Sequence, residues 1–186
     1  VDPRLSPDGR RVAVGMQSGK DFDIWVYDLQ RNSMTRLTFG GSNRSPVWSP
    51  DGRRIAYADN TAGAGGSAGK AKVVVIPSDG SGAKQEILMD YDRTYVNCWT
   101  RDGSSVVVTA PQPGKGWDLW VVPISGEGKP WAFLSTKFDE SFAAISPDGK
   151  WISYLSNETG VPQVYVRPFP KGEGKWQISS ELSTRA

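Results

Sequence analysis

The 186-residue sequence has no histidine and a single cysteine, Cys98. Without histidine there is no Ser–His–Asp or Cys–His catalytic group and no imidazole ligand for zinc. One thiol builds neither a thiolate metal cluster nor an internal disulfide framework, so the redox compartment is not written in the thiols. No apolar run is long enough to span a bilayer, which argues against membrane insertion. No signal-like stretch is visible, and Val1 opens inside what reads as a repeat. Neither sign of charge dominates: 22 Lys and Arg against 20 Asp and Glu leave +2, too little to imply a nucleic-acid partner.

What is abundant is turn punctuation and tryptophan. The 21 Gly, 13 Pro and eight Trp, with 38% hydrophobic residues, describe an all-β chain of one domain with many short turns rather than a disordered one. Ser49-Pro50-Asp51-Gly52 is a turn in which Pro presets φ, Asp bonds back to the backbone and Gly accepts the left-handed conformation. Flanked by Val47-Trp48 and Ile55-Ala56-Tyr57, it reads as a β-hairpin with a type I turn and a glycine bulge.

The same turn recurs at Ser6-Pro7-Asp8-Gly9, Thr100-Arg101-Asp102-Gly103 and Ser146-Pro147-Asp148-Gly149, at steps of 43, 51 and 46 residues. A large apolar residue precedes each (Leu5, Trp48, Trp99, Ile145), and a β-branched one follows three residues after each Gly (Val12, Ile55, Val106, Ile152). A period of about 40–50 residues with four short strands per unit predicts propeller blades. The expected fold is therefore an all-β propeller of four four-stranded antiparallel blades, at about 1–42, 43–93, 94–139 and 140–186.

Third strands are expected at 23–28, 73–76, 118–122 and 163–166, and fourth strands at 35–38, 85–88, 131–134 and 176–178. The third strands are nearly continuously apolar, which predicts burial on both faces, as stacked blades require. Leu134, Phe138, Phe142 and Ile145 fall at helical spacing. Aligned to the other copies, the stretch is instead a fourth strand, a connector and an inner strand. The Gly-, Ala- and Ser-rich segment 59–71 is expected to be a mobile insertion, and it accounts for the longest step.

These units resemble the TolB-type propeller repeat, a bacterial relative of the WD repeat. The resemblance rests on Trp48-Ser-Pro-Asp-Gly with Arg54-Ile-Ala-Tyr, on Asp23-Ile24-Trp25-Val26, and on Arg36-Leu37-Thr38. It covers nearly the whole chain. Such repeats occur in the periplasmic TolB protein, in propellers capping prolyl oligopeptidase-like peptidases, and in sensor regions attached to bacterial serine/threonine kinases. The stretch 160–169 is similar to one frequent in the kinase-attached kind. The resemblance implies an extracytoplasmic location and a protein or peptide partner. Thr100-Arg101 departs from the pattern by losing the proline. Family propellers usually close with six or more blades, so four copies imply either a four-bladed ring or, the favoured reading, an open arc of a larger propeller, with missing blades or self-association covering its ends.

Residues that could carry chemistry are few. Gly65-Gly66-Ser67-Ala68-Gly69 imitates a nucleophile elbow, but it has no helix after it and no base. Gly69-Lys70 is a false phosphate loop, because Ala64 and Ala71 stand where Gly and Ser/Thr are required. The pairs Asp21/Asp23, Asp90/Asp92 and Asp139/Glu140 offer oxygens of the kind calcium takes, yet they read as loop carboxylates or caps. Arg10, Arg11, Arg53, Arg54 and Lys150 read as solubilising strand ends. No catalytic residue, metal site or cofactor is expected. In a propeller the blade-to-blade connectors converge on the channel mouth, which makes Asn43, Arg44, Asp92, Arg93, Tyr95, Asp139 and Glu140 the candidate partner-binding rim.

Overall fold

The structure is a computed structural model that describes residues 3–62, 69–112, 114, 116–124 and 128–180. Residues 65–68 of the nucleophile-elbow imitation and residues 63–68 of the 59–71 insertion lie outside the described residues, as do residues 181–186. Among the described residues sixteen strands form four antiparallel sheets, each running in chain order. The first sheet is β1 (Arg4–Leu5), β2 (Arg11–Ser18), β3 (Asp21–Asp28) and β4 (Ser33–Arg36). The second is β5 (Asn43–Trp48), β6 (Arg54–Asp59), β7 (Lys72–Pro77) and β8 (Gln85–Leu88). The third is β9 (Tyr95–Trp99), β10 (Ser105–Pro111), β11 (Trp117–Pro123) and β12 (Trp131–Leu134). The fourth is β13 (Glu140–Ile145), β14 (Trp151–Ser156), β15 (Gln163–Pro168) and β16 (Trp176–Gln177). The helical spacing around Phe138 resolves into β12, a connector and β13.

All four predicted turns close by the same bonds. In each, the Gly N–H donates to the carbonyl of the Ser or Thr three residues earlier, at 2.8–3.0 Å, and the Gly φ lies between 67° and 75° (Gly9 70°, Gly52 67°, Gly103 68°, Gly149 75°). The hydroxyl donates to the turn Asp at 2.5–2.6 Å and accepts the N–H that opens the next strand at 2.9–3.0 Å. The Thr100 turn closes without proline, so hydroxyl, carboxylate and glycine suffice. These bonds hold the carboxyls of Asp8, Asp51, Asp102 and Asp148 below the usual carboxylate range, the hydroxyl contributing most.

The strands gather into two compact units, Val1–Val96 and Asn97–Ala186. The first contains the first two sheets. Ala13, Ile24, Val26 and Leu37 pack on Trp48, Ile55, Tyr57, Val74 and Ile76. Arg11 ties these two sheets together: its guanidinium donates to Gly52 O at 3.0 Å and Ser78 Oγ at 3.1 Å, and it lies 4.6 Å over the Trp48 ring. The reading of Arg11 as a solubilising end is thereby corrected, because its acceptors sit on the neighbouring sheet and the sequence does not show that adjacency. The second unit contains the third and fourth sheets, except for the first two residues of β9. There Val107, Leu119 and Val121 pack on Ala143, Ile152, Tyr154 and Tyr165.

Two-sided burial holds for β7, where Val73 to Ile76 are all buried, and largely for β11. In β15 it does not: Gln163 and Tyr165 are buried while Val164 and Val166 are half-buried, so that strand has one drier face. β4 ends at Arg36 rather than Thr38, because Leu37 turns into the core and the Thr38 hydroxyl accepts the Ile24 N–H at 2.9 Å.

Candidate binding site

A polar cluster anchors the start of β5. Asp23, fully buried on β3, accepts from Thr38 Oγ1 at 2.7 Å and pairs with Arg36 Nη2 at 2.5 Å. Asn43, 5% exposed, reaches across from the second sheet. Its Nδ2 donates to Gly40 O at 2.8 Å and Phe22 O at 3.2 Å, and lies 3.4 Å from Asp23 Oδ1. A buried amide must find such partners, and finding them fixes where β5 begins. The next two residues leave the ladder. The β5–β6 register slips between Arg44 and Val47, and Ser45 takes φ 54°, unusual without glycine and here part of a bulge.

Beside that bulge lies a cavity of about 110 Å³ lined by Gly15, Phe22, Asn43, Arg44, Ser45, Pro46 and Tyr95, all within the first unit. Arg44 lies over the Phe22 ring, its Cζ 3.6 Å from the ring centroid, and its Nε donates to Ser42 Oγ at 3.3 Å. Gly15, in the middle of β2, lines the wall, and a Cβ there would meet Asn43 O at 3.9 Å and Ile24 Cδ1 at 4.0 Å, ordinary contact distances.

Three of the seven candidate rim residues (Asn43, Arg44 and Tyr95) are thus brought to one cavity. Asp92 and Arg93 are exposed just before β9 and do not line it. Asp139 and Glu140 belong to the second unit. Both carboxylate oxygens of Asp139 are engaged, by Trp117 N at 3.0 Å and Asn157 Nδ2 at 2.9 Å. Glu140 is 1% exposed and accepts from Thr136 Oγ1 at 2.5 Å. Phe22 and Gly15 were not among the candidates. The available signal was a glycine inside a strand, directly after Val12-Ala13-Val14.

Burial pushes the Glu140 carboxyl up, and the nearby Asp118 carboxylate adds to the rise while the Thr136 bond opposes it. The folded state therefore favours the neutral acid. Its stabilising contribution is complete below the ordinary glutamate range and drains away as pH rises through the raised value. The turn aspartates act the other way, contributing above the ordinary aspartate range and losing that contribution as pH falls through their lowered values. Urea midpoints of Glu140→Gln, set against the parent, should therefore fall less between mildly acidic and neutral pH. Parallel pH profiles would show that Glu140 does not titrate in that window.

Four-stranded antiparallel sheets in chain order, packed face to face within each unit, define the chain as β-propeller blades. No family model matches the sequence. It is 27% identical over 202 residues to an uncharacterized peptidase, YuxL, of Bacillus subtilis, covering 86% of this chain and 30% of that protein. It is 24% identical over 180 residues to the Tol-Pal system protein TolB of Francisella tularensis, covering 92% of this chain and 38% of that one. Among solved structures, a putative TolB from Agrobacterium tumefaciens superposes with a TM-score of 0.77 at 22% identity, covering 96% of this chain and 61% of its own. The β-propeller domain of the trilobed protease from Pyrococcus furiosus gives 0.66 at 22% identity, covering 96% and 56%. By sequence and by structure the homologues of this chain are thus TolB-like β-propellers, peptidase-attached ones included. The chain spans about a third of the length of the two curated relatives.

Proposed function

We propose that this chain is a non-catalytic propeller module that presents the start of its inner strands to a protein or peptide partner outside the cytoplasm. The observation that supports it most is the cavity beside β5, where a rigid bulge holds Arg44 and Tyr95 at one opening. The extracytoplasmic location follows the TolB relatives. Neither His nor a nucleophile–base pair is available to argue for chemistry within these residues. A photo-cross-linking residue at position 95 of the full protein in its native cells should capture a discrete partner that a probe at Lys84, on the β7–β8 turn, does not. Identical adducts from both positions, or none from position 95, would overturn the proposal.

The similarity to the YuxL peptidase favours a second reading, in which the propeller gates or regulates a catalytic domain carried elsewhere in the same protein. A kinase-attached sensor region is the other form of that reading. A peptidase or kinase domain in the same reading frame would select it.

A further inference from the structure

We propose that the cavity beside Arg44 is a carboxylate pocket, taking an acidic group carried by the peptide partner. This rests on the binding reading above and names what the site would hold. The Arg44 guanidinium is fixed on two sides, by the Phe22 ring at 3.6 Å and by the Nε bond to Ser42 at 3.3 Å. Its two Nη nitrogens make no hydrogen bond or ion pair among the described residues. A guanidinium held against a ring with both terminal nitrogens unbonded is the fork that grips a carboxylate through paired hydrogen bonds.

None of the ion pairs among the described residues involves Arg44, and Asp23 is paired with Arg36 and bonded to Thr38. The sheet therefore holds a cation in place and supplies it with no counter-ion. Size and charge narrow the ligand further. About 110 Å³ admits a carboxyl group and its methylene, well short of the roughly 300–1,000 Å³ of cofactor-sized pockets. Arg44 is the one positive residue in the lining, which suits a monoanion better than a phosphate dianion.

The test follows the backbone amide resonances of residues 43–45 in the full chain, with the Arg44 Nε–H resonance added in the parent, while short capped peptides are titrated in. The probes are acetyl-Gly-Glu-Gly-amide, its Gln analogue, acetyl-Gly-Gly-Gly with a free C-terminus, and a phosphoserine analogue. The Glu peptide or the free C-terminus should bind at least about tenfold more tightly than the Gln peptide, the scale of a lost charge-assisted bond, and the two acidic probes tell side chain from terminus. Arg44→Gln should abolish the difference. Gly15→Val, whose Cβ would meet Asn43 O and Ile24 Cδ1 and no other atom within 4 Å, should weaken all the peptides. Equal binding of the Glu and Gln peptides, tighter binding of the phosphoserine peptide, or an unchanged preference in Arg44→Gln would overturn the proposal. A partner still captured from position 95 in Arg44→Gln at parental yield would preserve the peptide-binding reading while removing the carboxylate one.

Discussion

Replacing Arg36 by methionine should destabilise the first unit by about 2–3 kcal/mol, because it strands a carboxylate in the interior. Asp23 is fully buried, and Arg36 is its ion-pair partner at 2.5 Å. Without the guanidinium, Asp23 keeps the Thr38 hydroxyl and the more distant Asn43 amide. The arginine side chain is 29% exposed, so its own desolvation is partial and the pair by itself is worth little. The cost lies in what is left behind. Pairing Arg36→Met with Asp23→Asn should therefore recover more than half of the loss. Urea denaturation of the single and double variants checks this, and a double variant no more stable than Arg36→Met would show that the pair is not what matters. Because Asp23 also helps to seat Asn43, the single variant should loosen the start of β5 and the cavity with it, visible as faster amide exchange at 43–45.

Leu119→Ala should cost the second unit about 3 kcal/mol, within the range for emptying a buried leucine site. Leu119 has no exposed surface and sits in the cluster that joins the third sheet to the fourth, among Val107, Val121, Ile152 and Tyr154. Such a cavity lies between two sheets, each with its own ladder, so neither can collapse far to refill it. Leu88 on β8 is 57% exposed, and Leu88→Ala should move stability by no more than about 0.5 kcal/mol. Denaturant midpoints of the two variants decide the matter. Equal losses would mean that contacts between the sheets do not carry the unit.

The repeat was legible because its information is local. A hydroxyl, a carboxylate two residues on and a glycine after that close each hairpin with their own bonds, so four copies could be aligned with no knowledge of what they pack against. What depends on a neighbouring sheet was not legible. Arg11 looked like a solvated strand end and proved to be a tie to Gly52 and Ser78, about 40 and 70 residues away. Asn43 and Glu140 looked like rim residues on composition, and the structure buries both side chains. Of the candidate rim, Arg44 and Tyr95 remain at an opening, and their companions Phe22 and Gly15 come from the first sheet, where nothing in the linear order connects them to β5. The apolar run of β15 promised two buried faces, but burial requires a covering surface, and a sequence run does not say whether one is present.

A hairpin that answers its own polar groups asks nothing of the residues around it. Copying such a stretch within a gene would add a sheet whose corner is already finished, leaving only the flanks to be matched. The Thr100 copy indicates how far the wording can vary: it has no proline and the corner closes by the same bonds. On that footing the number of blades can change by duplication or loss, while the anchored opening at β5, assembled from distant side chains, cannot be copied in a single piece.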